Sequence, residues 1–505
     1  MLENTVEGCA HFAYRRVALM KYLLGIDVGT TGTKTLLFNE KGEFLGRAYQ
    51  GYETATPHNG WNEQNGEDWW NAICVTIREV CNTEEIRKNT VAISLSLQGG
   101  TMIPVDKDFK QVRPAIVWND SRCTEEHKQF VEEVGDPGYM YEKTGWKLGK
   151  CLLPLDIRWM KNNEPENFAR TAMFLSVPDY VAVKMTGIPA IDMSDAGINE
   201  TADIRAEKYD EKLLAFAGIT EKQLPKLMHS GEVIGHLTEK AAEELGLTTD
   251  CVLVAGAHDQ YAVALGAGAN QAGDILIGSG TCWVVTAIGD EPDFSRGLSQ
   301  SVAAVPGKWG SLLSLSSGGV CLDWMRKRVC PYDDGTRIDY DTINAEVAKR
   351  KAAEEGLFFV PFSKLGKASF LGLDLSHDRF HMMRAAMEGI AFQVIWMMEG
   401  FKTKPGKDGL KLTGGASKSA FWAQLVANIA NLPVRIPAVA DMACVGAAIL
   451  AGVGAGIFKD AKEGYARMAI EETLVQPQSE EAAKFAKLYQ EYKDKVNALA
   501  PLYQD

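Results

Sequence analysis

The sequence predicts an α/β protein made of two halves of similar build, and three observations carry that expectation. Residues 22–38, YLLGIDVGTTGTKTLLF, read as two short apolar strands around a turn rich in glycine and hydroxyls. Residues 274–287, DILIGSGTCWVVTA, repeat the strand–turn–strand pattern past the middle of the chain. Around both, buried strand-like runs end in polar loops and alternate with helical periodicity. That is the pattern of an α/β sheet, whose ligands gather beyond the carboxyl ends of its strands.

Composition sets the bounds. At 505 residues the chain should form two to four units on a prior of roughly 100–200 residues each. Its 46% hydrophobic and 24% charged content is ordinary for a soluble protein. A net charge of −13 argues against a general nucleic-acid binder. Any nucleotide must then be held by local dipoles, a cation and a few basic side chains. The ten cysteines form no C-x-x-C pair and no cluster with histidine at zinc spacing, which favours free thiols in a reducing cytoplasm. No apolar run approaches the roughly 18 residues of a membrane span. Residues 1–19 hold Arg15 and Arg16 but no secretory apolar core, so they read as a dispensable extension.

Taken in order, the first hairpin turn is Asp27-Val28-Gly29-Thr30-Thr31-Gly32. Glycine lets backbone N–H groups approach phosphate oxygens, and the two hydroxyls can join them. Asp27 would repel phosphate unless a divalent cation stood between them, which makes it a candidate indirect magnesium ligand. An ordinary tight hairpin remains the competing reading. The turn is neither a P-loop nor a Gly-x-Gly-x-x-Gly dinucleotide turn. A helix follows over 65–81, with Asn65 as N-cap and Trp69, Trp70, Ile73, Ile77 and Val80 on its apolar face. Strands at 91–97 and 114–117 end in Gln98-Gly99-Gly100-Thr101 and Trp118-Asn119-Asp120-Ser121-Arg122. Both endings are candidates to touch a substrate, or two plain loops.

The stretch 123–250 is chemically quiet, with helices expected over 203–217 and 221–227 and a loop or helix start at 194–197. Then 252–255 is a buried strand, and 256–260 a turn carrying His258, Asp259 and Gln260 before a helix. A carboxylate at a helix N-terminus is held ionised and can accept a proton, though capping is the commoner use of Asp there. His258 reads as structural. Past the second hairpin, Ser316-Ser317-Gly318-Gly319 precedes a helix. Residues 382–397 form a strong helix, and 410–419, LKLTGGASKS, run from a strand through a Gly-Gly turn into another. Paired glycines there can lie flat against a base or ribose, or merely turn the chain. A small-residue helix at 445–456 and a charged, surface-lying helical tail complete the chain.

With Asp27, Asp259, residues 278–281 and 413–416 in this order, the chain resembles an FGGY-family carbohydrate kinase over about residues 22–460. GWNEQNGEDWW, AIVWNDSR, PDYVAVKMTG and RAAMEGIAF support the resemblance, and the nearest subgroup is xylulokinase-like. The resemblance implies a two-domain actin-like ATPase (ribonuclease H-like) fold with an interdomain cleft. Its N-terminal domain would span 20–266, its C-terminal domain 267–460 and a helical tail 461–505. It implies ATP and Mg²⁺, with Asp27 and Asp259 near the metal and Asp259 as the catalytic base. Thr30, Thr31 and Lys34 would meet phosphates from one side, and Gly278, Ser279, Gly280 and Thr281 from the other. Gly319, Gly415, Ala416 and Ser419 would surround the adenosine. Gln98, Gly99, Gly100, Trp118, Asn119 and Gln260 would lie on the sugar side.

Two departures bear on substrate. Gly99-Gly100 stands where xylulokinases carry Met-His and glycerol kinases Arg-Glu, and Cys151 replaces a tyrosine of glycerol kinases. The expectation is a roomier pocket, poor use of glycerol, and phosphorylation of a ketose such as D-xylulose. L-xylulose, ribulose, a heptulose or a sugar alcohol are the alternatives. A third departure, Asp156-Ile157-Arg158-Trp159 in place of a Lys-x-x-Trp element, has no account in the sequence. The partner is expected to be a small sugar or polyol, with no nucleic acid and no membrane, and a homodimer is kept as a candidate assembly. The rivals are a non-enzymatic nucleotide-switched actin-like protein, a sugar-sensing regulator, and an ATPase that hydrolyses ATP without a sugar acceptor.

Overall fold

A computed structural model describes residues 20–503 except 150–151, 295–296, 333, 362–366 and 440. The expectations placed on residues 1–19 and on Cys151 lie outside the described residues.

The apolar run at the start of the chain forms β1 (Tyr22–Val28), which returns through the glycine turn as β2 (Gly32–Asn39) and again as β3 (Phe44–Gly51). Leu23, Leu24, Ile26 and Val28 are all buried, as a central strand covered on both faces requires. Helix α1 (Gly66–Val80) packs on this meander, with Asn65 accepting from the Glu67 amide as N-cap. Strand β4 (Thr90–Leu97) lies parallel to β1; after α2 (Val177–Thr186) come β5 (Val233–His236) and β6 (Val252–His258), the latter parallel to β4. The six-stranded order is β5-β6-β4-β1-β2-β3. Helix α3 (Asp259–Gly266) leaves the end of β6 directly.

The second sheet repeats the plan. Strands β7 (Ile275–Ser279) and β8 (Trp283–Gly289) form the second hairpin, β9 (Ser299–Val302) and β10 (Trp309–Leu315) continue the meander, and α4 (Arg379–Met398) follows. Strand β11 (Leu410–Gly414) lies parallel to β7. Then come α5 (Ala420–Ala430), β12 (Val434–Pro437), α6 (Met442–Gly454), β13 (Glu472–Val475) and α7 (Ser479–Leu499). The order is β9-β10-β8-β7-β11-β12-β13. In both sheets a hairpin strand is flanked by its own meander on one side and by parallel strands on the other. The expected two halves of similar build are present.

Helices α3 and α6 join the halves. A shared core takes Leu23 and Leu36 from the first sheet, Leu276, Ile288 and Leu312 from the second, and Tyr261, Ala262, Val445, Ala448 and Ile449 from the two helices. Small residues make this possible. A Cβ on Gly25 would sit 1.9 Å from the Cys444 carbonyl oxygen, and one on Gly446 would sit 2.0 Å from that of Ala262. The expected small-residue helix is therefore a backbone-to-backbone contact that any side chain would pry open.

Three expected elements differ. Over 221–227 there is a 3-10 turn (Glu221–Gln223) and a short strand (Lys226–Met228), because Pro225 forces Leu224 into an extended conformation. The helix expected over 203–217 begins only at Glu211, where the Asp210 carboxylate accepts from the Lys212 and Leu213 amides. The charged tail does not merely lie on the surface. Phe485 and Tyr492 on α7 are buried in the second core, at 2% and 0% exposure.

Candidate active site

The site is built where three strands end together. Val28, Leu97 and His258 are register neighbours at the carboxyl ends of β1, β4 and β6. The first hairpin turn, the Gln98-Gly99-Gly100 loop and Asp259 therefore emerge side by side, as the carboxyl-end rule anticipates.

Asp27 is the register partner of Lys34 across the hairpin. Lys34 Nζ lies 3.7 Å from Asp27 Oδ2 and 3.5 Å from Asp441 Oδ1, and Arg47 Nε holds Asp441 Oδ2 at 2.6 Å. Ser96 Oγ donates to Asp27 Oδ1 at 3.1 Å. Burial pushes the Asp27 carboxyl up to about 6; the neighbouring carboxylates of Asp259 and Asp441 add to this, while Lys34 and Ser96 oppose it. Burial pulls Lys34 down, but Asp27 and Asp441 more than offset it and hold the ammonium above its ordinary range. Asp441 and Arg47 carried no signal in the sequence, because their contact depends on α6 returning to the first sheet.

Thr30 links the first hairpin turn to the loop that follows β4 and to the loop that carries Trp118. Its hydroxyl donates to Gln98 Oε1 at 3.0 Å and accepts from Trp118 Nε1 at 3.0 Å. Gln64 Nε2 donates to the Thr30 carbonyl at 2.7 Å, and Gln98 Nε2 donates to Gln64 Oε1 at 3.2 Å. Thr31 is exposed at the tip of the turn. Trp118 leaves 49% of its surface open, an unusual exposure for so large an apolar ring. The loop beneath it is stapled by Arg122, whose fully buried guanidinium forks onto Asp120 and lies 3.9 Å over the Trp61 ring. Asn119 is exposed, and its carbonyl accepts from Asn62. Gln260, partly exposed, follows Asp259 on α3.

The roomier pocket expected from Gly99-Gly100 is not what the structure has. A Cβ on Gly99 would meet Ile198 Cγ2 at 2.5 Å, His258 Cδ2 at 3.0 Å and Asp195 Oδ1 at 3.1 Å. One on Gly100 would meet Leu152 Cδ2 at 2.6 Å, and Gly100 has a φ of 76° while its amide donates to Asn199 Oδ1. The space that larger residues would need is already filled by neighbours distant in sequence. The Asp156 to Trp159 departure also gains an account. Asp156 is buried and takes the Cys123 thiol, while Arg158 reaches Glu133 and the Phe216 carbonyl.

Asp259 opens α3 with 38% of its side chain exposed. His258, set aside as structural, touches it: Nε2 lies 3.2 Å from Asp259 Oδ1, and the histidine side chain is 6% exposed.

On the second sheet, Ser279 and Gly414 are register partners, so the Gly280-Thr281 turn and the Gly415-Ala416 turn are adjacent. Ser279 stitches them. Its hydroxyl donates to the Thr413 carbonyl and accepts from the Ala416 amide, and its carbonyl accepts from the Gly415 amide. The Gly319 amide donates to the Gly280 carbonyl at 3.2 Å. Gly278 lies within β7. Ser419 accepts from the Trp422 amide as the cap of α5 and donates to Asn344 Oδ1. The hydroxyls of Ser279 and Ser419 are thus spent on the scaffold, while Gly280, Thr281 and Gly415 are exposed. A surface cavity of about 830 Å³ lies elsewhere, between α1, the 108–114 loop and α2. Its facing charges, Glu67 and Lys184, are paired with each other.

Two halves of one plan, each with a glycine hairpin and a turn beside it, joined through α3 and α6, define a two-domain actin-like ATPase fold. The family comparison narrows this. The FGGY carbohydrate kinase N-terminal domain matches residues 22–266 and the C-terminal domain residues 274–455, so the chain belongs to the FGGY family of carbohydrate kinases. It is 29% identical to the xylulose kinase of Bacillus subtilis over 495 residues, covering 94% of this chain and 96% of that relative. It is 28% identical to the gluconokinase of the same organism over 454 residues, covering 86% of this chain and 87% of the relative. The ligand-bound xylulose kinase of Lactobacillus acidophilus superposes with a TM-score of 0.86 at 25% identity, over 96% of this chain and 99% of that one. The protein is an ATP-dependent carbohydrate kinase of xylulokinase-like type. Among the described residues no helix is long and apolar enough to cross a membrane.

Proposed function

We propose that the enzyme transfers the γ-phosphoryl group of MgATP to a hydroxyl of a ketose, D-xylulose first among candidates, with Asp259 as general base. The observation that carries this reading is the meeting of Asp27, Gln98 and Asp259 at the ends of three adjacent strands. A hydroxyl attacks poorly while it keeps its proton, and a partly exposed carboxylate at a helix N-terminus is suited to take it. Lys34 and the backbone amides of the two hairpins would hold the transferring group, since phosphoryl transfer depends chiefly on positioning and electrostatics.

Burial is the chief cause of the raised Asp27 carboxyl, the carboxylates of Asp259 and Asp441 add to it, and a cation beside Asp27 and Asp259 would offset that charge. Among the described residues no three His, Cys, Asp or Glu side chains group as a metal cage. This fits magnesium, which takes one or two carboxylates and fills its shell with water and phosphate oxygens. When bound it would neutralise phosphate charge. The chain's own groups do the remainder: Asp259 accepts the proton, and Thr30 ties the phosphate turn to Gln98 and Trp118.

The open indole of Trp118 suits the C–H face of a sugar, and Gln98, Asn119 and Gln260 supply neutral polar contacts. None of these side chains carries a positive charge, which favours a neutral ketose or polyol over the sugar acid of the gluconokinase relative. The test is initial rates of acceptor-dependent ADP release at saturating MgATP over ketoses, aldoses, polyols, gluconate and glycerol. A pentulose should give the highest kcat/KM. Gluconate or glycerol in first place would overturn the substrate reading, and no acceptor above background hydrolysis would overturn the mechanism.

A further inference from the structure

We infer that Asn199 is the positioning residue for the sugar-side loop Gln98–Thr101, an inference that rests on the reading of Gln98 and Trp118 as sugar contacts. Two consecutive glycines of that loop are held by two consecutive residues at the end of one short helix, Met193–Ile198. Ile198 Cγ2 fills the space over Gly99, 2.5 Å from where a Cβ would stand. Asn199 takes Gly100: its Oδ1 accepts from the Gly100 amide at 2.9 Å. Gly100 is left-handed, at a φ of 76°, and lies outside any strand or helix, so no backbone ladder satisfies its amide. Both residues are buried, and a buried N–H needs a partner that the protein itself supplies.

The Asn199 amide is fixed from both ends. The Gly100 amide can only donate, so it faces the oxygen. At the other end Nδ2 donates to Ser176 Oγ at 3.0 Å, and Ser176 spends its own proton on Asp179 Oδ1, so it can only accept from Asn199. A primary amide meets both demands at once, which neither a carboxylate nor an aliphatic side chain of that size can do. The helix behind it is pinned as well. The Asp192 carboxylate caps it, Ser194 Oγ accepts from the His258 amide at 2.9 Å, and Ser301 on β9 of the second sheet donates to the Ser194 carbonyl at 3.3 Å.

Gly100 is where the two sugar-side loops meet. A Cβ on it would stand 3.4 Å from Trp118 Cβ, and the next residue, Thr101, accepts the Trp118 amide on Oγ1 at 3.3 Å. Gln98 begins the same loop and spends one lone pair on Thr30 and one hydrogen on Gln64, which leaves one of each for a sugar hydroxyl. Without Asn199 Oδ1 the Gly100 amide is a buried donor with no partner. The loop can satisfy it only by turning, and that turn carries Gln98 and the Trp118 indole with it.

Four variants and one exchange measurement test this: Asn199→Leu, Asn199→Ala, Asn199→Asp and Gln98→Ala. The assay is ADP release with D-xylulose, or with whichever sugar leads the panel. Asn199→Leu and Asn199→Ala should each raise KM for the sugar by about tenfold, the order expected when substrate-positioning groups move by a fraction of an ångström. KM for MgATP and the sugar-independent hydrolysis of ATP should stay unchanged, a split that a general loss of structure would not give. Asn199→Asp keeps the oxygen that Gly100 needs and loses only the donor to Ser176. It should melt below the wild type yet recover most of the sugar KM. Hydrogen–deuterium exchange of the wild-type enzyme should show the Gly100 amide as slowly exchanging, a readout independent of activity and of the folding of any variant. If Gln98→Ala leaves KM for the sugar unchanged, the reading of this loop as the sugar side fails. If Gln98→Ala raises it while Asn199→Leu and Asn199→Ala do not, if Asp recovers no more than Leu, or if the Gly100 amide exchanges as an open one does, the positioning role is overturned.

Discussion

The Lys34 ammonium lies 3.5 Å from the Asp441 carboxylate, so a residue of the first hairpin is held by the residue that precedes α6, more than 400 positions later. Lys34 is thereby aimed along the hairpin, between Asp441 and Asp27. Lys34→Met should raise KM for MgATP by about tenfold or more, the worth of one charge-assisted hydrogen bond of roughly 1.5–3 kcal/mol. Steady-state kinetics at fixed acceptor measure it. An unchanged KM would remove Lys34 from the phosphate site.

Asp27 ties stability to pH. Its folded carboxyl is raised to about 6 from an ordinary 3.8, chiefly by burial, so the folded state binds the proton more tightly than the unfolded one. The resulting stability is fully present below the unfolded value and is lost as pH rises through about 6. Above that, ionised Asp27 costs on the order of 1–3 kcal/mol. Asp27→Asn should therefore raise the melting temperature at pH 8, show little gain at pH 4, and abolish activity. Thermal scans at both pH values check the sign. Equal gains at both would mean that the charge is not the cause.

Gly99→Ala tests the filled wall. Its Cβ would arrive 2.5 Å from Ile198 Cγ2, and overpacking of this kind costs about 1–3 kcal/mol. The variant should melt lower and lose turnover, and adding Ile198→Ala should restore part of both. A Gly99→Ala enzyme with unaltered melting temperature and rate would show that the wall has room after all.

Asp259→Asn keeps the size of the side chain and removes the proton acceptor. Turnover should fall by roughly 10²–10⁴ while ATP still binds, as expected for loss of general-base catalysis. Single-turnover rates and nucleotide binding by calorimetry separate the two effects. Near-normal turnover in a folded variant would remove the assignment.

Much of this protein was legible in the sequence because it is local. Residues 22–38 contain both strands of the first hairpin and the turn between them, and residues 274–287 contain the second, so register follows from neighbours in the chain. Asn65 caps α1 through an amide two positions away. Asp259 could be placed at a strand end by the apolar run before it. These are patterns of period two and 3.6, and they need no distant partner.

What only the tertiary structure decided is every contact between residues far apart in sequence. Asp441 reaches Lys34 and Arg47 because α6 crosses back to the first sheet at Gly25. Gly99 looked like empty space when its own neighbours were the only guide, yet Ile198, Asp195 and His258 fill it. His258 read as structural, and only the fold shows that Trp146, Ser194 and Gly99 enclose it beside Asp259. Side-chain identity and spacing determine which elements form. Packing determines which side chains are held, and at what angle, because a buried group takes its orientation from neighbours that the chain brings together only on folding.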